Sequence, residues 1–395
     1  MNKEWKNWST EQTKEFQEEF VEWYEREKRN LPWRYNHDPY RIWISEIMLQ
    51  QTRVDTVIDY FYRFMEWFPT IEELANAPEE KLLKAWEGLG YYSRARNIQA
   101  AAKQIMSEFG GEMPQTVAEI SSLKGIGPYT TGAIASIAFD LPEPAIDGNV
   151  MRVVSRLFCI EEDIAKASSR KVFDEAVRSI IDEEHPGEFN QAFMDLGSAI
   201  CTPTSPKCEI CPIQSFCLAN KRGIQTNFPV KTKKAKPKDV YYVAAAIQDQ
   251  AGSFYLEKRT SQKLLADMWT FPLIEVTLER YQELQQEWAS VVDNQPNLFD
   301  ELLVAEKQID LPFAHQETVV WQKRHLGEVV HVFSHLKWHV LLFYGRATSR
   351  TNQLLPETEA ALWTAEAKFA QFVFPKVQMK LVEQLEKNRN NSNPS

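Results

Sequence analysis

Two carboxylates stand where they could do chemistry together. Glu46 lies in Ile42-Trp43-Ile44-Ser45-Glu46-Ile47-Met48-Leu49-Gln50-Gln51-Thr52. At about 100° per residue, Ser45, Glu46, Gln50, Thr52 and Arg53 share one strip of an otherwise apolar helix. A solvated face is one reading of that strip. Trp43, Ile44, Ile47 and Met48 nevertheless border the glutamate, and a carboxyl held against apolar walls is harder to ionise, the condition for a general acid at neutral pH. Asp147, in Ala145-Ile146-Asp147-Gly148-Asn149-Val150, reads by itself as an N-cap of the apolar-periodic stretch 150–158. One carboxylic acid and one carboxylate also form the set that cleaves a glycosidic bond.

A second cluster is sulfur. Cys201, Cys208, Cys211 and Cys217 are spaced C-x6-C-x2-C-x5-C, and four thiolates so close in sequence can wrap one centre, zinc or an iron–sulfur cluster. The uneven spacing departs from the paired C-x2-C knuckles of zinc ribbons. A third feature is Leu123-Lys124-Gly125-Ile126-Gly127-Pro128, followed by the small residues Gly132, Ala133, Ala135, Ser136 and Ala138. An ordinary helix–helix turn uses such residues. The full L-x-G-x-G ahead of a small-residue helix is the helix-hairpin-helix pattern, whose backbone N–H groups form an anion site for a DNA phosphate.

These residues need a scaffold, and 395 residues at 45.9 kDa supply two or three domains. With 44% hydrophobic and 25% charged residues the chain is neither collagen-like nor disordered, and no apolar run reaches membrane-spanning length. Five cysteines, four of them crowded together, point to a reducing compartment, the cytoplasm. The net charge of −10 argues against a polyanionic partner until its distribution is examined. Residues 1–220 carry 23 Lys/Arg against 35 Asp/Glu, residues 221–239 carry 7 against 1, and residues 240–395 carry 15 against 19. Arg34, Arg53, Arg94, Arg96, Lys124 and Arg152 sit beside glycine-rich or aromatic segments and could form a local nucleic-acid footprint.

The expected organisation is an all-α domain over residues 1–220, with the cysteine loop at 201–217, then a basic linker at 221–239. A mixed α+β domain follows over 240–376, and a tail at 377–395 whose Asn-rich end after Lys387 is unstructured. The α+β domain shows β-rich runs at 240–248, 253–258 and, the longest, 329–346, with a helix near 278–290.

In this order and spacing, the hairpin, the downstream aspartate and the four-cysteine loop resemble the endonuclease III superfamily of base-excision DNA glycosylases over about residues 10–220. Residues 45–52, 88–96 and 146–150 are similar to its adenine-excising members. The resemblance implies a [4Fe–4S] cluster on Cys201, Cys208, Cys211 and Cys217. It implies Glu46 and Asp147 as the catalytic pair, with Tyr129 and Asn149 hydrogen-bonding around them. Tyr129 stands where lyase members carry a Schiff-base lysine, so a monofunctional enzyme that leaves an abasic site is expected. Gln51 and Tyr91 match wedge positions, and Thr52, Leu89, Arg94, Gly125 and Gly127 match other DNA contacts. Arg29, Leu31, Trp33, Arg34, Gln191 and Met194 match an adenine pocket, with Gln191 where some relatives have Glu.

The same members carry a Nudix-like C-terminal domain that helps recognise 8-oxoguanine. The segment from Arg259 to Pro272 resembles the start of one, but no G-x5-E-x7-R-E-x-x-E-E box follows, so pyrophosphate hydrolysis is not expected. Phe333, Ser334 and His335 match the loop that touches 8-oxoguanine, although a plain strand is the reading of those residues alone. The implied partner is double-stranded DNA carrying adenine opposite 8-oxoguanine or guanine, bound by a monomer at the bacterial nucleoid and handed to abasic-site repair enzymes.

Overall fold

The computed structural model describes residues 3–233, 235–260, 264–289, 311–313, 318–322, 324–348, 355 and 357–391. Lys234 of the linker, Ser290 of the expected helix and residues 392–395 of the expected tail lie outside them. The chain divides into two compact units, Met1–Lys234 and Ala235–Ser395. Among the described residues no helix is long and apolar enough to cross a membrane.

The first unit is all-helical. Helix α1 (Thr10–Glu27) starts where the Ser9 side chain accepts from Gln12 N, and it buries Phe16, Phe20, Trp23 and Tyr24 at helical spacing. Helix α2 (Pro39–Leu49) is capped by Asp38 and is sunk into the unit, with every residue from Ile42 to Met48 buried. It ends at Leu49, so Thr52 and Arg53 leave the strip that a longer helix would have given them. Then come α3 (Val54–Trp67), α4 (Ile71–Asn76), α5 (Glu79–Ala85), α6 (Ser93–Glu108) and α7 (Val117–Ser122). The hairpin leads from α7 into α8 (Pro128–Phe139), where Pro128 takes the first helical position behind Gly127. A Cβ on Gly132 of α8 would stand 2.1 Å from the Pro144 carbonyl. Only glycine lets the stretch before Asp147 cross so close, and this crossing leads into Asp147 at the start of α9 (Gly148–Phe158).

Helices α10 (Arg170–Arg178), α11 (Pro186–Ala199) and the short α12 (Leu218–Lys221) complete the unit. A core of α1, α9, α10 and α11 side chains, among them Phe16, Val154, Phe173 and Phe193, holds α9 and α11 in place. Much of the expected linker is docked rather than extended. Phe228 is buried, Ile164 N donates to the Val230 carbonyl at 3.0 Å, and Thr232 N donates to Asp163 Oδ1 at 3.1 Å.

The second unit is one mixed sheet: β1 (Lys238–Gln248), β2 (Ser253–Lys258), β3 (Trp269–Thr270), β4 (Leu273–Val276), β5 (Val319–Trp321), β6 (Glu328–Val332), β7 (Leu336–Ala347) and β8 (Ala361–Ala365). The order β3-β2-β1-β7-β5 runs through a parallel β1–β7 pair, with β4, β6 and β8 pairing antiparallel at its sides. Alternation along β1 sends Tyr242, Ala244 and Ala246 into one core and Val243, Ala245 and Ile247 into the other. Helix α13 (Leu278–Ala289) covers the second core with Tyr281 and Leu284.

One expectation is refined here and one is corrected. The long β-rich run over 329–346 is a hairpin, β6 and β7, turned at Phe333–Ser334–His335 with Phe333 N donating to the Leu336 carbonyl at 2.7 Å. The segment taken as a tail is α14 (Lys376–Asn391). Val377, Leu381 and Leu385 recur at four-residue spacing and are buried in the first core, while the Gln378 amide oxygen accepts from Phe271 N at 2.9 Å.

Candidate active site

Glu46 projects from the buried middle of α2 and is 5% exposed. Its carboxylate accepts from the Tyr129 hydroxyl at 2.5 Å, and that oxygen lies 3.8 Å from Met194 Sδ. The Glu46 carboxyl is pushed up to about 7: burial raises it most, the Tyr129 hydrogen bond and the Arg34 charge offset part of that, and the Asp147 charge adds to it. Burial together with the two nearby carboxylates keeps the Tyr129 phenol protonated, so it stays a donor.

Asp147 is both the N-cap of α9 and a neighbour of this pair. Its Oδ1 accepts from Asn149 N at 2.8 Å and Val150 N at 2.7 Å, and its Oδ2 accepts from Asn149 Nδ2 at 2.8 Å. Burial raises its pKa, while the three donors and Arg152 favour the charged form. Arg152 sets the Asn149 amide. Its Nη2 donates to Asn149 Oδ1 at 2.8 Å and to the Gly197 carbonyl at 2.7 Å, and its Nε donates to the Cys201 carbonyl at 2.8 Å. A Cβ on Gly197 would meet Asn149 Cβ at 2.6 Å, so this α11 glycine makes room for the arrangement. Arg152→Lys cannot reach all three acceptors from one ammonium. We expect it to lower the midpoint of a thermal melt by a few degrees, because a buried acceptor is left unpaired.

On the other side of Glu46, Arg34 Nη1 donates to Asp195 Oδ2 at 2.8 Å, and Arg29 pairs with the same carboxylate. Burial alone would raise the Asp195 pKa, but the two guanidiniums hold it below the ordinary carboxylate range. Asp195 was not singled out in the sequence. Its only signal there is an acid on the apolar α11 stretch, one residue after Met194. Gln191 is buried on α11 with Nε2 donating to the Gly187 carbonyl at 3.3 Å. Leu31 and Trp33 are buried, and Trp33 meets Phe61 edge-on at 5.5 Å.

The residues expected to meet DNA divide. Gln51 and Tyr91 are exposed and both adopt left-handed backbone, φ 58° and 49°. Gly125, at φ 78°, turns the hairpin, and its missing Cβ would fall 2.6 Å from Asn97 Cβ. Thr52 is half-buried with its hydroxyl donating to the Gln50 carbonyl at 3.5 Å, and Gly127 caps α8 in extended backbone. Leu89 is 7% exposed and belongs to the core. Of the six basic side chains in the expected footprint, Arg34, Arg94 and Arg152 turn inward to protein acceptors. Arg53 and Lys124 are exposed, and Arg96 pairs with Glu79 at 2.6 Å.

The cysteine loop requires a correction. Cys201, Cys208, Cys211 and Cys217 line one pocket with Arg156. Yet among the described residues no three His, Cys, Asp or Glu side chains are gathered as ligands of one metal ion, so the expected [4Fe–4S] ligand set is not formed. The sulfurs take other partners: Arg156 Nη1 donates to Cys201 Sγ at 3.2 Å, and Cys217 Sγ donates to the Arg156 carbonyl at 3.4 Å. Arg156, 2% exposed, also donates to the carbonyls of Gln225, Phe228, Thr202 and Pro203, and so ties the loop to α9.

In the second unit, Phe333, Ser334 and His335 form the β6–β7 turn. Phe333 packs edge-on to Trp338 at 4.9 Å and to His331 at 4.6 Å, and the His335 carbonyl accepts from Lys238 N at 2.9 Å.

Three family models match the chain. Residues 44–179 match the HhH-GPD superfamily of base excision DNA repair proteins, 201–217 the iron–sulfur binding domain of endonuclease III, and 243–384 the NUDIX domain. At 201–217 the match is one of sequence, and the side-chain arrangement departs from it as described. Relatives come from mammals, a plant, a fission yeast and bacteria. An adenine DNA glycosylase of Rattus norvegicus is 34% identical over 82% of this chain and 68% of its own length. That of Homo sapiens is 33% identical over 90% and 71%. That of Buchnera aphidicola subsp. Baizongia pistaciae is 39% identical over 65% and 73%.

Proposed function

Since the chain belongs to the adenine DNA glycosylase family, within the helix-hairpin-helix base-excision superfamily, we propose that it releases adenine mispaired with 8-oxoguanine, or with guanine, and leaves an abasic site. It is a base-excision-repair glycosylase acting on DNA, a hydrolase of N-glycosidic bonds. The observation that carries the finer reading is the buried Glu46–Tyr129 pair beside the N-capping Asp147.

The target adenine leaves the stack, with Gln51 and Tyr91 filling the gap on the duplex side. Glu46, protonated near neutral pH because it is buried, gives its proton to a ring nitrogen of the base. The base then departs as a neutral molecule. Tyr129 holds the carboxyl in place through its 2.5 Å hydrogen bond. As positive charge develops on the sugar, ionised Asp147 stabilises it, and the Asn149 amide fixes that carboxylate through Oδ2. Water then adds to the sugar carbon that the base has left and loses its proton to solvent, which completes the abasic site. No amine stands at Tyr129 to form a Schiff base, so the strand stays intact. Arg34, Arg29 and Asp195 supply a charge-matched wall for the base.

Specificity for the opposite base is assigned to the Phe333–Ser334–His335 turn of the second unit. The test is single-turnover release from duplexes with adenine opposite 8-oxoguanine, guanine or thymine. Release should be fastest opposite 8-oxoguanine, and Ser334→Ala should narrow the 8-oxoguanine over guanine preference about tenfold, the loss of one good hydrogen bond to the base edge. Equal rates opposite all three bases would sink this reading.

A further inference from the structure

Arg94 was expected to meet DNA, but its guanidinium is spent on the backbone of two separate loops. Nη1 donates to the carbonyls of Ile47 (2.6 Å), Met48 (3.2 Å) and Gln50 (2.7 Å), the last turn and cap of α2. Nη2 donates to the carbonyls of Leu89 and Gly90, both at 3.3 Å. The Trp86 ring lies 5.3 Å from Arg94 Cζ, and Trp86 Nε1 donates to the same Gly90 carbonyl at 3.1 Å. The open carbonyls at the end of α2 thus find their donor about forty-five residues away in sequence.

Each loop anchored by Arg94 carries one exposed residue in left-handed backbone immediately after its anchored carbonyl. Gln51 (φ 58°) follows Gln50, and Tyr91 (φ 49°) follows Gly90. Side chains other than glycine rarely adopt this conformation, and it persists only where surrounding contacts impose it. One guanidinium binds the carbonyl that precedes each of them.

We propose that Arg94 is a positioning residue that couples the two loops, holding Gln51 and Tyr91 at a fixed separation so that both enter the duplex as one wedge. The inference rests on the reading of Gln51 and Tyr91 as wedge residues. A lysine at position 94 has one donor centre and can satisfy the carbonyls of one loop only, so charge is kept while the coupling is lost.

The test is a double-mutant cycle on the full chain with Arg94→Lys, Tyr91→Ala, Gln51→Ala and the double variants. Flipping is read from the fluorescence of 2-aminopurine placed opposite 8-oxoguanine, and release from single-turnover kinetics with adenine there. Arg94→Lys should slow flipping about tenfold to 100-fold, while the pH at which release falls off stays where the wild type has it. In a Tyr91→Ala background the Arg94→Lys effect should shrink to within about threefold, because the wedge is already broken. Trp86→Phe, which keeps an aromatic ring and removes the donor to Gly90, should give the same pattern in smaller size even if Arg94→Lys folds poorly. The proposal is overturned if the variants' effects multiply independently, or if Arg94→Lys moves the pH profile and so acts through Glu46. If Tyr91→Ala and Gln51→Ala both flip and release like the wild type, it is the wedge reading that fails.

Discussion

Replacing Glu46 by Gln should lower the single-turnover rate of adenine release about 10⁴-fold, the upper range for loss of a general acid, while duplex affinity survives. The substitution keeps size and a hydrogen-bond acceptor for Tyr129 but removes the transferable proton. The pH dependence gives a sharper signature. The active form of Glu46 is protonated, and burial has pushed its pKa up to about 7. The wild-type rate should therefore fall about tenfold per unit above that pH and hold below it until the acid limb set by Asp147. Glu46→Gln should lack this basic limb altogether. A variant that keeps its rate within tenfold, or keeps the limb, would remove Glu46 from the proton-transfer step.

The second large effect concerns Asp147. Asn at this position can still cap α9 with its side-chain oxygen, so the fold should stand and the helix should keep its start. The negative charge under the developing sugar cation is lost, and the rate should fall about 10³-fold. Here the active form is ionised. Burial raises the Asp147 pKa, so the wild-type rate should decline on the acid side beginning above the pH at which a free aspartate protonates. Asp147→Asn should flatten that limb. A thermal melt unchanged from the wild type, together with the lost rate, separates this role from capping; a lowered melt with the rate preserved would reverse the assignment.

Legibility in the sequence followed the distance over which each residue finds its partners. The apolar neighbours of Glu46 are local, at positions 43, 44, 47 and 48, and from them alone a raised pKa could be argued. Of the two readings of Asp147, the structure shows the cap, and the carboxylate that the proposed mechanism calls on is held by those same backbone donors. The polar strip of α2 is overextended because the helix ends at Leu49, where its last carbonyls accept from Arg94, a contact the local pattern does not contain. Arg152 and Asp195 are buried charges whose acceptors and donors lie tens of residues away, so nothing near them marked them as anchors of the site. The Asn-rich end of α14 concealed the spacing of Val377, Leu381 and Leu385, which packing against the sheet makes decisive. At the cysteines, spacing was legible and side-chain direction was not, because Arg156 engages the sulfurs of Cys201 and Cys217 from another helix.

The central claim is base release without strand cleavage at adenine opposite 8-oxoguanine. It is tested most directly by incubating the full chain with such a duplex under single-turnover conditions and examining the products before and after alkali, with free adenine measured in parallel. The account predicts one adenine released per duplex and strand breaks only after alkali. Breaks without alkali would contradict it by showing a lyase step that Tyr129 cannot perform, and tight binding with no adenine released would contradict it by leaving a protein that recognises the lesion without chemistry.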